Sequence, residues 1–194
     1  LSTKNIVIAT GASPAIPPTP GLEDSAYSTS ESIWKLRELP KELLVIGGGP
    51  IGCELAQAFR RLGSQVTILT RDPKVLPKED RDLAELVLKN FESEGIQMQT
   101  EVQVDRIEKK NSEQQVYFRK DGVEQYIKAD HILLATGRKP RTSGLGLEEV
   151  GVELNPDGTI KVDPFLRSSI PNIYACGDVA GPFQFTHVAG HQAW

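Results

Sequence analysis

Residues 43 to 63 read LLVIGGGPIGCELAQAFRRLG, an apolar run that breaks into glycines and resumes as a charged, helix-forming segment. Few folds tolerate such a stretch. Four consecutive apolar residues bounded by a turn signal predict a strand buried on both faces, and the apolar positions Ile51, Leu55, Ala58, Phe59 and Leu62 predict one face of a helix that Gly63 stops. Val66 to Leu69 then supplies a second strand, completing a βαβ unit. In that context Gly47-x-Gly49-x-x-Gly52 predicts a dinucleotide-binding turn. The first glycine permits the tight bend, the second lets backbone approach a pyrophosphate, and the third lets helix and strand pack closely. The free N–H groups of the first turn and the positive end of the helix dipole face the phosphates. Pro50 and Ile51 occupy that turn, where the missing proline N–H costs little. The competing reading is a tight βα turn that binds nothing.

The residue that inspects the adenosine ribose lies about 20 positions further on, at the end of the second strand. Here that place holds Thr70 and Arg71. A 2′-hydroxyl calls for Asp or Glu, whereas a 2′-phosphate calls for a planar guanidinium, so this pair points to NADP, with NAD as the alternative. Lys74 and Lys78 add positive potential nearby, or are simply solvated surface lysines.

The remaining chain continues the alternation. Asn5 to Ala9 predicts a short strand ending at Thr10-Gly11, and SPAIPPTPG after it suits neither helix interior nor central strand, which makes it a connector. Ser30 to Leu39 predicts a short helix carrying Ile33, Trp34 and Leu36 and ending before Pro40. A helix from about Arg81 to Glu94 places Leu83, Leu86, Val87 and Phe91 on one side, before the strand IQMQ. The period then switches to two through Val102, Val104, Ile107, Val116 and Phe118, with Asp121-Gly122 as a hairpin turn before VEQYIK. HILLATG is a further buried strand, so an antiparallel meander stands where a crossover helix is usual.

Composition narrows the function classes. The 22 basic and 26 acidic residues give a net charge of −4 without long runs of one sign, which excludes a nucleic-acid footprint. No apolar run reaches the length of a membrane span, and the N-terminus lacks a signal-peptide pattern. Two cysteines, Cys53 and Cys176, are too few for a disulfide framework and fit a reducing cytoplasm. The chain starts at Leu1 and stops at Trp194 without a cap or turn, so a fragment is expected.

VIATGASPAIPPTPG, GGGPIGCELA, ILLATGRKPR and NIYACGDVAG occur in an order and at spacings that resemble the pyridine nucleotide-disulfide oxidoreductases, the family of dihydrolipoamide dehydrogenase, glutathione reductase and mercuric reductase. FQFTHVAGHQAW is most similar to the mercuric reductase-like members. The resemblance implies an α/β, Rossmann-like three-layer FAD/NAD(P)-binding fold with a central parallel sheet and a meander crossover. It divides the chain into an FAD-domain remnant with connector (1–29), an NAD(P)-binding domain (30–142) and a second FAD-domain remnant (143–194).

It also implies site residues. Gly177 and Asp178 would meet the ribityl and pyrophosphate region of FAD, with Gly11 near the same cofactor, and Thr186, His187 and Val188 would begin a helix beneath the flavin ring. Gly137 and Arg138 would close over the nicotinamide side of the dinucleotide. Glu54 would orient the nicotinamide ring and pair with an FAD-domain lysine, or would sit in the first helical turn as a carboxylate favoured by the dipole. Where some members carry an aromatic gate this chain has Pro50, so nicotinamide entry is expected to be ungated.

In the intact protein hydride would pass from NAD(P)H to FAD, then electrons to a disulfide and an unknown acceptor. This chain alone is expected to bind dinucleotide and catalyse little. It carries none of the N-terminal flavin glycine motif, the closely spaced redox cysteine pair, or the C-terminal domain through which the parent would form a homodimer. Cys53 and Cys176 read as small buried hydrophobes. His187 and His191 have the i, i+4 spacing of metal ligands but no third ligand, so no metal is expected. Two other readings remain: a flavin NAD(P)H dehydrogenase without a redox disulfide, and a non-catalytic dinucleotide-binding module.

Overall fold

A computed structural model describes residues 2–110 and 113–194. In chain order the strands are β1 (Ile6–Ile8), β2 (Ala12–Pro14), β3 (Tyr27–Thr29) and β4 (Glu42–Ile46), followed by helix α1 (Pro50–Leu62), β5 (Gln65–Leu69), helix α2 (Arg81–Ser93) and β6 (Gln97–Gln99). Then come β7 (Gln103–Lys110), β8 (Glu113–Lys120), β9 (Val123–Ala129), β10 (His131–Leu134), β11 (Arg138–Pro140), β12 (Ile173–Ala175) and helix α3 (Thr186–Gln192). The residues fall into two compact units, one of 14–137 and one of 1–13 with 138–194.

The unit of 14–137 is built on a parallel sheet of order β3-β10-β4-β5-β6. Alternation along β4 assigns its faces. Leu43 and Val45 join Val66, Ile68 and Leu133 under Cys53, Leu55 and Ala56 of α1 and Phe91 of α2. Leu44 points the other way, joining Leu69, Ile132 and Leu134 against Val116, Phe118 and Ile107 of the meander. The meander, β7-β8-β9, is antiparallel. Helices, parallel sheet and meander are thus three layers, as the motif order implied.

Four local expectations are corrected. The helix over Ser30 to Leu39 shrinks to a 3₁₀ turn at Ile33–Lys35, in which Trp34 is 70% exposed and only Ile33 is buried. On α1, Leu62 and Ala58 lie in solvent, and the packed face is Gly52, Cys53, Leu55 and Ala56 with Phe59 beside them. On α2, Leu83 and Leu86 are exposed while Ala84, Val87 and Phe91 carry the contact. The Pro-rich connector begins with β2, which pairs with β11 in a two-stranded sheet. In addition, β3 is a sheet strand that periodicity did not reveal.

The other unit has a smaller frame. β1 and β12 form a parallel pair in which Ile8 lies opposite Ala175. Its core gathers Ile8, Leu147, Val152, Ile160, Ile173, Ala175, Val179 and Ala180. Gly177–Val179 forms a 3₁₀ turn directly after β12. No helix among the described residues is long and apolar enough to cross a membrane.

Candidate dinucleotide and flavin-side sites

The glycine turn leaves the carboxyl end of β4 in the middle of the parallel sheet, where doubly wound folds take their ligands. Its glycines differ in what surrounds them. Gly47 has φ +117°, and a side chain there would strike the backbone carbonyl of Ala135 just after β10. A side chain at Gly52 would strike the carbonyl of Gly47 itself. Gly48 is walled by Thr70, whose side-chain atoms stand 3.1–3.3 Å from where a Cβ would be. Gly49 faces open space. The first three are glycine because the fold closes on them; the fourth is bare where nothing of the protein fills the position.

Gly49 is also the N-cap of α1, with extended backbone and no capping side chain, and Pro50 opens the helix. Its carbonyl accepts the first helical bond, from the Cys53 N–H at 3.0 Å. The preceding N–H groups therefore have no intrahelical acceptor, and the helix dipole adds to their positive potential. An anionic pyrophosphate fits this cradle in charge, donor supply and space.

Thr70 directly follows β5 and is buried, taking the Asp72 N–H on its Oγ1 at 3.2 Å. It shapes the floor of the turn. Arg71 beside it is exposed and makes no hydrogen bond or ion pair among the described residues. Lys74 donates to the Glu79 carbonyl at 2.9 Å, within a loop tied to the glycine turn by the Leu76 N–H to Gly48 O bond at 2.7 Å. That tie, with Gly48 and Ala135, belongs to the site and was not foreseen; the third adjacent glycine was the one available signal.

Glu54 is exposed and is the fifth residue of α1, so no acidic residue lies in the first turn. The dipole reading of Glu54 is therefore withdrawn: the field of a helix end falls off within one turn. Cys53 is buried, donates its thiol to Gly48 O at 3.4 Å, and has its pKa pushed up to about 11 by burial. It is an inert packing residue. Cys176 is only half-buried, against the expectation of full burial.

In the smaller unit, β1 and β12 run parallel and in register, so the loops that follow them emerge at the same end. Gly11, at φ +68°, and Gly177, at φ +75°, stand in those loops. Asp178 follows Gly177, and its carboxylate accepts from Arg138 Nε at 3.1 Å while Arg138 Nη2 donates to Ala12 O at 2.7 Å. Both side chains are about one-fifth exposed (23% and 18%). Arg138 thereby fixes a carboxylate rather than standing free, a link that a separation of 40 positions hides from any motif. Gly137 has φ +122°, accepts the Ala15 N–H at 2.9 Å, and has open space where a side chain would be.

In α3, Thr186 and His187 are exposed and Val188 is half-buried, with the His187 ring stacked on Phe185 at 5.3 Å. Gln192 closes the Gly177 loop by accepting its N–H at 2.7 Å. Elsewhere, a cavity of about 490 Å³ bordered by Glu42, Arg60, Gln65, Gln97 and Lys128 opens at the amino ends of β4, β5 and β6. It lies at the opposite end of the sheet from the glycines.

Residues 1–193 match the family model described as pyridine nucleotide-disulphide oxidoreductase. A mercuric reductase of Staphylococcus aureus is 38% identical over 192 residues, covering 99% of this chain and 35% of the relative. A dihydrolipoyl dehydrogenase of Bacillus subtilis (strain 168) is 38% identical over 188 residues, covering 96% and 40%. Among solved structures, a Cu(II) complex of the HOCl-induced flavoprotein disulfide reductase RclA from Escherichia coli superposes with a TM-score of 0.90 at 35% identity, covering 99% of this chain and 44% of that one. LpdA from Mycobacterium tuberculosis gives a TM-score of 0.88 at 32% identity, covering 97% and 40%. The chain thus spans between a third and a half of the length of these proteins.

Proposed function

Because the chain belongs to the pyridine nucleotide-disulphide oxidoreductase family, we propose that it is the NADP(H)-binding portion, with parts of the FAD-binding domain, of an FAD-dependent oxidoreductase. The observation that carries this reading is the bare cradle at Gly49, placed at the start of α1 and at the carboxyl end of a central strand. Gly47, Gly48 and Gly52 hold its shape, and the first-turn N–H groups around Pro50 and Ile51 are the pyrophosphate donors. Arg71, exposed and without an ion pair among the described residues, meets the 2′-phosphate, while Thr70 sets the floor. Glu54 lies one turn into α1 and orients the nicotinamide.

Gly11, Gly177 and Asp178 are the flavin-side residues, with Arg138 holding Asp178 in place, and Gly137 closes over the nicotinamide half. Thr186, His187 and Val188 then lie under the flavin ring. When bound, the two cofactors supply hydride transfer, and the protein supplies position and electrostatics. The acceptor beyond the flavin is a disulfide or, in a second reading, a substrate reduced without one. The parent is a cytoplasmic homodimer joined by a C-terminal domain. NAD is the competing dinucleotide, favoured by Asp72 at the same strand end.

Calorimetric titration with NADPH and with NADH at fixed moderate salt tests the assignment. NADPH preference that disappears in Arg71→Ala supports it. Equal or better NADH binding removes Arg71 from the role, and binding of neither rejects the isolated chain as a dinucleotide module.

A further inference from the structure

The meander ends in β9, which among the described residues pairs with no strand but β8. The turn before β9 has positive φ at both Asp121 and Gly122, the type I′ geometry, and Lys120 lies opposite Val123. In such a hairpin Lys120 and Val123 form the first hydrogen-bonded pair. Val123, Gln125, Ile127 and Ala129 therefore direct their N–H and C=O groups to β8, and Glu124, Tyr126 and Lys128 direct theirs outward. Among the described residues no group bonds to these outward ones. Val123 and Tyr126 are 59% and 53% exposed.

Edge strands are usually blunted by proline, a bulge, an inward-facing charge or charged side chains along the edge. β9 has no proline and no bulge, its inward residues are uncharged, and the irregularity of the meander lies in β7 between Val104 and Arg106. Its charges, Glu124 and Lys128, are of opposite sign and already paired within the chain.

The side chains on this edge match their own reverse. An antiparallel partner of the same sequence, centred on Tyr126, places Tyr126 opposite Tyr126, Glu124 opposite Lys128 and Lys128 opposite Glu124. The residues that meet as hydrogen-bonded pairs are the three whose backbone groups point outward. Each chain already holds Lys128 against Glu113 at 2.7 Å, and holds Glu124 against Arg106, which also binds Glu108 at 2.8 Å. Across the seam the signs would alternate through Glu113, Lys128, Glu124, Arg106 and Glu108, the last three from the second copy. Tyr117 and Tyr126, 5.6 Å apart with Arg106 stacked 3.8 Å over Tyr117, would extend into a row of four rings.

We propose that β9 is a self-association edge: two copies of this chain pair antiparallel about Tyr126 and join their meanders into one six-stranded sheet. One strand pair buries far less than the roughly 1,200 Å² at the lower end of stable interfaces, so the dimer is reversible.

Sedimentation velocity of the chain from micromolar to millimolar concentration is the test. The expected result is an average mass that climbs from one chain towards two and no further. Tyr126→Pro removes an outward N–H while leaving the β8 ladder intact, and is expected to abolish the rise. Lys128→Glu sets like charges opposite each other twice and is expected to weaken association about tenfold. The double swap Glu124→Lys with Lys128→Glu breaks both ion pairs inside the chain yet keeps the two-fold match, and is expected to restore association. A chain monomeric throughout, growth beyond two chains, association indifferent to Tyr126→Pro, or a double swap as weak as Lys128→Glu overturns the proposal. Should Tyr126→Pro lose its native circular dichroism, the two charge variants decide alone.

Discussion

The two units handle parallel strands differently. In the unit of 14–137, five parallel strands are covered on both faces, so Val45, Ile68, Ile132 and Leu133 are fully buried. In the unit of 1–13 with 138–194, β1 and β12 pair with each other and Tyr174 of β12 makes one antiparallel bridge to Arg167; Ile6 and Val7 of β1 are 45% and 64% exposed. Parallel sheets are normally covered on both faces. One unit secures its ligand turn between stacked layers, whereas the other anchors Gly177 and Asp178 on the buried Ala175 and Val179 and adds polar ties from Arg138 and Gln192.

Four experiments test that contrast. The largest effect is expected from Phe118→Ala, which empties a fully buried position between sheet and meander and should cost about 3–5 kcal/mol. Hydrogen exchange should accelerate in β4, β5 and β10, while Ile160→Ala, equally buried, should accelerate β1 and β12 without touching those strands. Equal acceleration of both units by either variant would erase the distinction.

Next come the glycines of the turn. Gly47→Ala forces a side chain into the Ala135 carbonyl at φ +117° and should cost about 3 kcal/mol, lowering the melting temperature by about 6–12 °C. Gly49→Ala meets no protein atom and should leave melting within about 1 °C while weakening dinucleotide binding about tenfold, measured by calorimetric titration. Melting losses of the same size in both would mean that Gly49 is structural too.

In the smaller unit, Arg138→Met leaves the mostly buried Asp178 carboxylate without its cation, at a cost of about 1–2 kcal/mol. Exchange at Gly11, Ala12 and Gly177 should report it, and unchanged exchange there would deny Arg138 its holding role.

The smallest effect is a pH dependence inside the larger unit. His131 sits on β10 with Nε2 2.8 Å from Ser28 Oγ on β3, and burial lowers its pKa below the usual 6.5. Its folded form favours the neutral ring, so its share of stability is complete above pH about 6.5 and declines as pH falls through the lowered folded value. The melting temperature of His131→Gln should therefore fall less between pH 7 and 5 than that of the parent chain. Identical slopes would remove His131 from the pH response.

Legibility in the sequence followed locality. The βαβ unit was readable because its periodicity, glycines and second strand lie within a few dozen residues. β3 was not, since Tyr27-Ser28-Thr29 is three residues long with a small polar centre, and Ser28 is buried by pairing with β10 and by its hydrogen bond to His131, both distant in sequence. On α2 the apolar residues Leu83, Ala84, Leu86, Val87, Leu88 and Phe91 span too wide an arc for periodicity to choose the packed stripe; Val87 and Phe91 join the core under the sheet, and Ala84 is buried beside them on the helix. The pyrophosphate turn was readable for the same reason as the βαβ unit, while Arg138 with Asp178 and Gly47 against Ala135 are pairings between distant segments that no local pattern encodes.

The place of β10 between β3 and β4 has a consequence for birth on the ribosome. β4 ends at Ile46 and β10 begins at His131, 85 positions later. At synthesis rates of about 5–20 residues per second, the strand that must fill the place between β3 and β4 trails β4 by roughly 4–17 s. Throughout that interval β4 offers an open apolar edge, and the glycine turn lacks the Ala135 wall against which it closes. The nascent chain can shape its helix and hairpins early, but its phosphate cradle is finished only when a late strand threads into the middle of an earlier one's neighbourhood.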